Sequence, residues 1–187
     1  MNEFNTYLNN LDYSFITDLC RRKGKLQTYR KGDFFIRQHE KKRFAGWVED
    51  GTFQYTHIDE EGEEHIVGYS FTNEYVCDYS SFMKGSLSLV SIQAITDCSV
   101  YEISHHDIIE YWETNMEIQR FGRCVAENLY EMVYERLLDS YCSPEIRYKR
   151  LMDRCPNLKE AVPLKSIASF LGVTPETVSH IRKKLRG

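Results

Sequence analysis

The sequence predicts an α+β protein in three parts: an N-terminal antiparallel β-sandwich or jelly roll, one long helix, and a C-terminal helix-turn-helix. Three observations carry this expectation. Between about Leu26 and Ile103 the chain breaks into short segments rich in Val, Ile, Phe, Tyr and Thr. Turns such as Lys31-Gly32-Asp33, Glu49-Asp50-Gly51 and Asp59-Glu-Glu-Gly62 divide them, a pattern that reads as antiparallel strands. From Glu113 to Asp139 apolar residues recur every three or four positions with no proline between them, which reads as helix. The last 24 residues read as two short helices joined by a tight turn.

The elements follow in order. Tyr7, Leu8, Leu11, Phe15, Ile16 and Leu19 suggest a short helical start over residues 1–23. Thr52–Ile58 and Glu64–Tyr69 flank Asp59–Glu63 as a hairpin. Val90–Ala94 and Ser99–Ile103 suggest a late strand pair around Thr96-Asp97. In the long helix the stripe is Ile118, Phe121, Val125, Leu129, Met132 or Val133, and Leu137. At 1.5 Å per residue such a helix is about 40 Å long. That is more than covering a small sheet requires, so Ile118, Phe121, Val125, Leu129 and Met132 are expected to pair two chains. Ser143-Pro144 ends this helix and caps the next, and Cys155-Pro-Asn-Leu158 is the following turn. The expected domains are 1–110 for a sensor β-domain with its short helix, 111–140 for dimerisation, and 141–187 for the helix-turn-helix.

The C-terminal segment is the most specific. Ile167, Ala168 and Leu171 form an apolar face, and Gly172 ends that helix. Thr174 suits an N-cap, and Pro175 suits the first helical position. Val178, Ile181 and Leu185 make the expected buried stripe of the second helix. Glu176, Ser179, His180 and Lys183 occupy the opposite face. A helix that packs with one side and offers short polar groups on the other suits a major groove.

Charge points the same way. The whole chain is mildly acidic, with 24 Lys and Arg against 28 Asp and Glu. Residues 141–187 nevertheless hold ten basic and four acidic residues, a local excess of +6. A basic tail on an acidic body fits a local contact with a polyanion. A hydrophobic content of 42% argues for a folded chain. There is no apolar run long enough to span a bilayer and no signal-like start, so a soluble, cytoplasmic protein without membrane partners is expected. The six cysteines include no Cys-x-x-Cys pair, and the nearest two are 13 residues apart. Reduced, structural thiols and no metal site are expected. An alternative, a cupin-like metal- or ligand-binding β-barrel without DNA function, needs a His-x-His pair; His57 and His65 lie eight apart. A sensor or adaptor that binds only protein would not need the basic tail.

These parts in this order resemble the Crp/Fnr family of bacterial transcription regulators. The resemblance rests on Lys31-Gly-Asp-Phe-Phe-Ile36, Trp47-Val-Glu-Asp-Gly51, Glu61-Gly-Glu-Glu64, Tyr75–Phe82, Val90–Cys98 and, above all, Leu171-Gly-Val-Thr-Pro-Glu-Thr-Val-Ser-His-Ile181. It implies a cyclic-nucleotide-binding-like β-domain, a winged-helix-like DNA-binding domain and a homodimer. It also implies double-stranded DNA as partner, RNA polymerase as a candidate partner, and no enzymatic activity. Glu176, Ser179 and His180 would read bases, with Lys183 beside them on that face; Thr174, Thr177, Lys165 and Arg182 would contact phosphates. His180 stands where the family usually has arginine, so its contact to guanine is single, not forked.

The β-domain departs from the family further. Members that bind cyclic nucleotides open the phosphate-binding turn with Gly-Glu and close it with Arg followed by Ser or Thr. Here the positions read Cys77-Asp78 and Ser88-Leu89. An arginine fork neutralises a phosphate; a serine brings no charge. An effector pocket at Asp78, Ser80 and Ser88 is therefore not expected to take cAMP. Cys20 stands alone near the N-terminus, which does not support an iron–sulfur cluster. Nothing singles out haem ligands, although Cys77 and His105 are conceivable. The effector is left unknown.

Overall fold

The computed structural model describes residues 4–8 and 11–185. They form two compact units. One spans Leu8–Val125; the other joins the residues before Leu8 to those from Ala126 onward. The boundary falls inside the long helix.

The first unit begins with helix α1 (Ser14–Lys23), which buries Ile16, Leu19 and Cys20. Its last turn carries Arg21, Arg22 and Lys23, charges that offset the helix dipole. Eight strands follow: β1 (Lys25–Tyr29), β2 (Phe34–Ile36), β3 (Phe44–Asp50), β4 (Phe53–Ile58), β5 (Glu64–Ser70), β6 (Tyr75–Val76), β7 (Ser91–Ala94) and β8 (Cys98–Ser104). Helix α2 (Tyr79–Lys84) separates β6 from β7, and α3 (His105–Trp112) follows β8. Two four-stranded sheets result, ordered β1-β8-β3-β6 and β2-β7-β4-β5. Every pairing is antiparallel.

Alternation explains the layers. Phe35, Val48, Phe53, Val76, Ile92 and Val100 come from both sheets and pack into one core. Neighbours of opposite parity, Ala45, Trp47 and Ile103, turn the other way. There they meet Ile16 and Leu19 of α1 and Ile108 of α3. Strands β3 and β8 at the centre of the β1-β8-β3-β6 sheet are thus buried on both faces, with helices covering the outer one.

The expected hairpin is present as β4 and β5, with Thr56 opposite Ile66 and His57 opposite His65. Asp59 builds its turn by accepting from the Glu61 and Glu63 amides and from the His65 ring. The expected late pair is not a pair. β7 lies between β2 and β4, whereas β8 lies between β1 and β3. Ile92 and Val100 enter the same core from opposite sheets, so the short link between β7 and β8 crosses from one sheet to the other. Local sequence shows two adjacent strands but not that each already has two other neighbours.

Helix α4 (Met116–Ser140) has 25 residues. Part of its predicted dimer stripe is covered within the protomer. In the first unit the Phe121 ring packs 5.2 Å from Tyr13 and 4.4 Å from Phe15. In the second unit Met132 is buried. Ile118, Val125 and Leu129 are half-buried. The exposed apolar residues of the second half are instead Tyr130, Val133, Tyr134, Leu137 and Leu138, continued by Tyr141. Val133 and Leu137 of the expected stripe thus fall on the exposed side, which at about 100° per residue is turned well away from Phe121 and Met132. Periodicity alone could not say which apolar positions of α4 are covered within the same chain.

The second unit continues with α5 (Pro144–Arg154), α6 (Leu158–Ala161), α7 (Leu164–Phe170) and α8 (Pro175–Lys184). Its described residues include no strand, so the wing of the expected winged helix is not among them. Phe4–Tyr7, expected with the β-domain, belong to this helical unit.

Two glycines test the backbone differently. Gly51 has φ +103, and a Cβ there would lie 2.5 Å from Cys98 Sγ and 2.6 Å from the Asp97 carbonyl oxygen. Gly172 has φ +62, and a Cβ there would meet only Arg147 Nη1, at an ordinary 3.9 Å. Gly51→Ala is expected to cost about 2 kcal/mol or more, and Gly172→Ala about 1 kcal/mol. Urea unfolding of the two variants checks the difference.

Candidate nucleic-acid interface and effector pocket

The recognition hairpin is built from caps inward. Helix α7 ends in a Schellman motif: the Val173 amide donates to the Ala168 carbonyl and the Gly172 amide to that of Ser169, both at 3.0 Å. Gly172 takes the left-handed conformation this motif requires. Thr174 then caps α8, its hydroxyl accepting from the Thr177 amide at 3.2 Å, with Pro175 in the first turn. The caps define where α8 starts, and burial defines its rotation. Val178 and Ile181 are buried, as are Ile167, Ala168 and Leu171 of α7–turn and Tyr148 and Leu151 of α5. Helix α8 packs against both α7 and α5.

With that side buried, Glu176, His180 and Lys183 are exposed and Ser179 is half-exposed. Lys165 at the start of α7 is also exposed. Thr174 and Thr177 hold each other through their hydroxyls at 3.1 Å. Two expectations change. Leu185, expected in the buried stripe, is 48% exposed because α8 ends at Lys184. Arg182, expected on phosphate, is half-buried: its Nε donates to the Tyr148 hydroxyl at 2.8 Å, and its guanidinium lies over the Tyr148 ring. Lys184 pairs with Glu145 at 2.6 Å. These two cations brace α8 on α5. Tyr148 was missed from sequence because it lies 34 positions from Arg182.

In the β-rich unit the predicted pocket residues divide. Asp78 occupies the N-cap position of α2, but its carboxylate does not cap the helix. It accepts instead from the Ser88 hydroxyl at 2.9 Å and the Leu89 amide at 3.3 Å. Ser88 is completely buried. Ser80 is exposed and outside this contact. The serine that replaces the expected arginine is thus spent on the neighbouring carboxylate. An incoming phosphate would meet the Asp78 carboxylate there and, at position 88, a serine in place of an arginine fork. Nearby, the Cys77 amide donates to the Tyr55 phenol oxygen at 3.3 Å. Tyr55 in turn shares a 2.8 Å hydrogen bond with Ser70, whose hydroxyl donates to the Tyr75 carbonyl. Burial pushes the Cys77 thiol up to about 12, with the Asp78 charge as a second cause. Burial likewise pushes Cys20 up to about 12.

Metal-ligating types come together at His106, Asp107 and Glu110, beside an open cavity of about 600 Å³ lined by Arg43, Phe44, His105 and Ile109. Two of the three carboxylate and imidazole groups already have partners. Asp107 accepts from the Ser104 hydroxyl, and Glu110 pairs with Lys23 at 3.0 Å. His57 and His65 are cross-strand neighbours but diverge, His57 to the Leu89 carbonyl and His65 to Asp59. They do not form the converging donor set of a cupin-like barrel. Among the described residues no helix is long and apolar enough to cross a membrane.

Two measurements check the β-rich unit. Calorimetric titration with cAMP is expected to show no micromolar binding, because Ser88 replaces the arginine fork and is held by Asp78. Alkylation of the native protein at pH 8 is expected to leave Cys20 and Cys77 unmodified long after more accessible thiols have reacted, read by mass spectrometry. Both thiols stay protonated there, and only thiolate reacts.

Residues 26–115 match the family model described as the cyclic nucleotide-binding domain. No curated protein matches the chain. Solved structures do. FixK2 from Bradyrhizobium japonicum is 17% identical with a TM-score of 0.72, the match covering 87% of this chain and 84% of that one. The c-di-GMP responsive global regulator CLP from Xanthomonas campestris is 17% identical with a TM-score of 0.68, covering 94% and 92%. A CooA mutant from Carboxydothermus hydrogenoformans is 15% identical with a TM-score of 0.68, covering 98% and 84%. At these identities the likeness is one of fold. Residues 26–115 thus match the cyclic nucleotide-binding domain model, and the chain shares its fold with these solved regulator structures.

Proposed function

We propose that this protein is a homodimeric, sequence-specific DNA-binding transcription regulator whose effector is not cAMP. One observation carries the reading most strongly. Helix α8 buries Val178 and Ile181 and leaves Glu176, Ser179, His180 and Lys183 on its other side. Glu176 can accept from a cytosine amino group, Ser179 can donate or accept, and His180 can donate to a guanine edge. Lys165 and Lys183 supply positive charge for phosphates. Thr174 and Thr177 act by starting the helix where its first turn can enter a groove.

The exposed stripe of α4, Tyr130, Val133, Tyr134, Leu137 and Leu138, is the proposed contact with a second copy. Six large apolar side chains including Tyr141, 48–82% exposed, form a patch that water disfavours and that an identical helix would cover. A two-fold dimer would present two α8 helices to a near-palindromic site, with half-sites about one DNA turn apart. The domain roles follow: residues 8–125 sense or transmit, α4 pairs the protomers, and α5–α8 bind DNA.

Selection of duplexes from a random pool, followed by anisotropy titration, tests the reading. Affinity for the selected duplex is expected to fall steeply as salt rises. His180→Ala and Glu176→Ala are each expected to cost about 1–3 kcal/mol at one base position and to relax preference there. Lys165→Ala should weaken all sequences evenly. A purified dimer that ignores every duplex at low ionic strength overturns the proposal. For the dimer face, Leu137→Glu is expected to give monomers by analytical ultracentrifugation without loss of helix content.

A further inference from the structure

The N-terminal segment lies along α4 in the helical unit. Asn128 Nδ2 donates to the Tyr7 carbonyl at 3.1 Å. Two turns further on, Arg136 Nη2 donates to the Phe4 carbonyl at 3.2 Å and to Asn5 Oδ1 at 3.3 Å. Met132, buried, lies between them on the same face. The Phe4 ring is 2% exposed. It lies 5.0 Å from the ring of Phe170, the last residue of α7, at an interplanar angle of 53°. The Arg136 guanidinium stands 4.9 Å from the Phe4 ring and 5.5 Å from the Phe170 ring. One aromatic side chain near the chain's start therefore joins the long helix to the first helix of the recognition hairpin.

We propose that Phe4 is a positioning residue for DNA binding: through Arg136 and Phe170 it holds the helix-turn-helix at a set angle to α4. The inference rests on the DNA-binding reading above. Its physical basis is independent of that reading. The covalent route from α4 to α7 passes through Ser143, Pro144 and two intervening helices, and each joint adds freedom. The Phe4 clip closes that route into a loop, with cation–π and ring contacts at the closing point. The clip is followed in sequence by α1 of the β-rich unit, so the two units are joined by two chain passages, at residues 7–8 and 125–126. A two-fold dimer reads half-sites at one spacing only if each hairpin holds its angle on the dimer helix. Loosening the clip should therefore blur spacing before it abolishes binding.

The test compares full-length wild type with Phe4→Ala and with a chain lacking residues 1–7. Both variants are expected to keep the β-rich unit, read by hydrogen exchange of β8 amides. Exchange of the 164–171 amides should rise at least about tenfold. Affinity for the selected duplex should fall roughly tenfold, and discrimination against half-sites moved by one base pair should flatten. A merely stabilising contact would lower the protein's melting point and leave the spacing preference intact. Unchanged exchange at 164–171, unchanged spacing preference, or tighter DNA binding by Phe4→Ala each overturns the proposal. If wild type binds no duplex, the regulator reading falls, and the exchange data alone decide whether the clip holds α7. Should Phe4→Ala lose the β-rich unit as well, Arg136→Lys, which keeps the charge and loses the fork, provides the same readouts at smaller size.

Discussion

The burial of Val178 and Ile181 is the constraint on which the candidate interface depends. Successive helical residues turn by about 100°. Once two side chains three apart are committed to a core, every other side chain on the helix has its direction assigned. Glu176, Ser179, His180 and Lys183 have no apolar surface to cover and face away. The Schellman turn at Gly172 and the Thr174 cap set the position along the axis. Arg182 on Tyr148 and Lys184 on Glu145 brace the helix from the α5 side. A slip of one residue would bury a polar group without a partner, at a cost of about 1–3 kcal/mol. The polar face is therefore held by what lies behind it.

The β-rich unit separates what its core requires from what a bound phosphate would require. Residues 26–115 match the cyclic nucleotide-binding domain model, and both sheets contribute to one sandwich core. The turn around α2 nonetheless places Asp78 against Ser88 and the Leu89 amide. A carboxylate satisfied by two internal donors is stable without a ligand, and it repels a phosphate. The core depends on alternation and volume; phosphate binding depends on one cation at one position.

Helix α4 carries two apolar faces with different partners. The face of Phe121 and Met132 is covered within the protomer, by Tyr13 and Phe15 in one unit and beside the N-terminal segment in the other. The face of Tyr130, Val133, Tyr134 and Leu137 is left to solvent in the single chain. Arg136 lies between a backbone carbonyl and two aromatic rings, which explains why a charged residue tolerates half-burial there. The helix thus serves as a wall of two cores and as an outward surface.

Much of this was legible in sequence because it depends on short-range rules. Caps, turn glycines, periods of two and of about three and a half, and the order of elements are written within ten or so residues of each other. Thr174, Gly172, Ser143-Pro144 and the β4–β5 hairpin all follow from such rules. The rest required residues distant in sequence to meet. Which strands neighbour β7 and β8, which side of α4 is already covered, that Arg182 belongs to Tyr148 and that Phe4 belongs to Phe170 are facts of three-dimensional packing. An apolar stripe or a cation declares that it needs a partner, but many partners satisfy the same local pattern. Only the closed core, where each volume is filled once, decides between them.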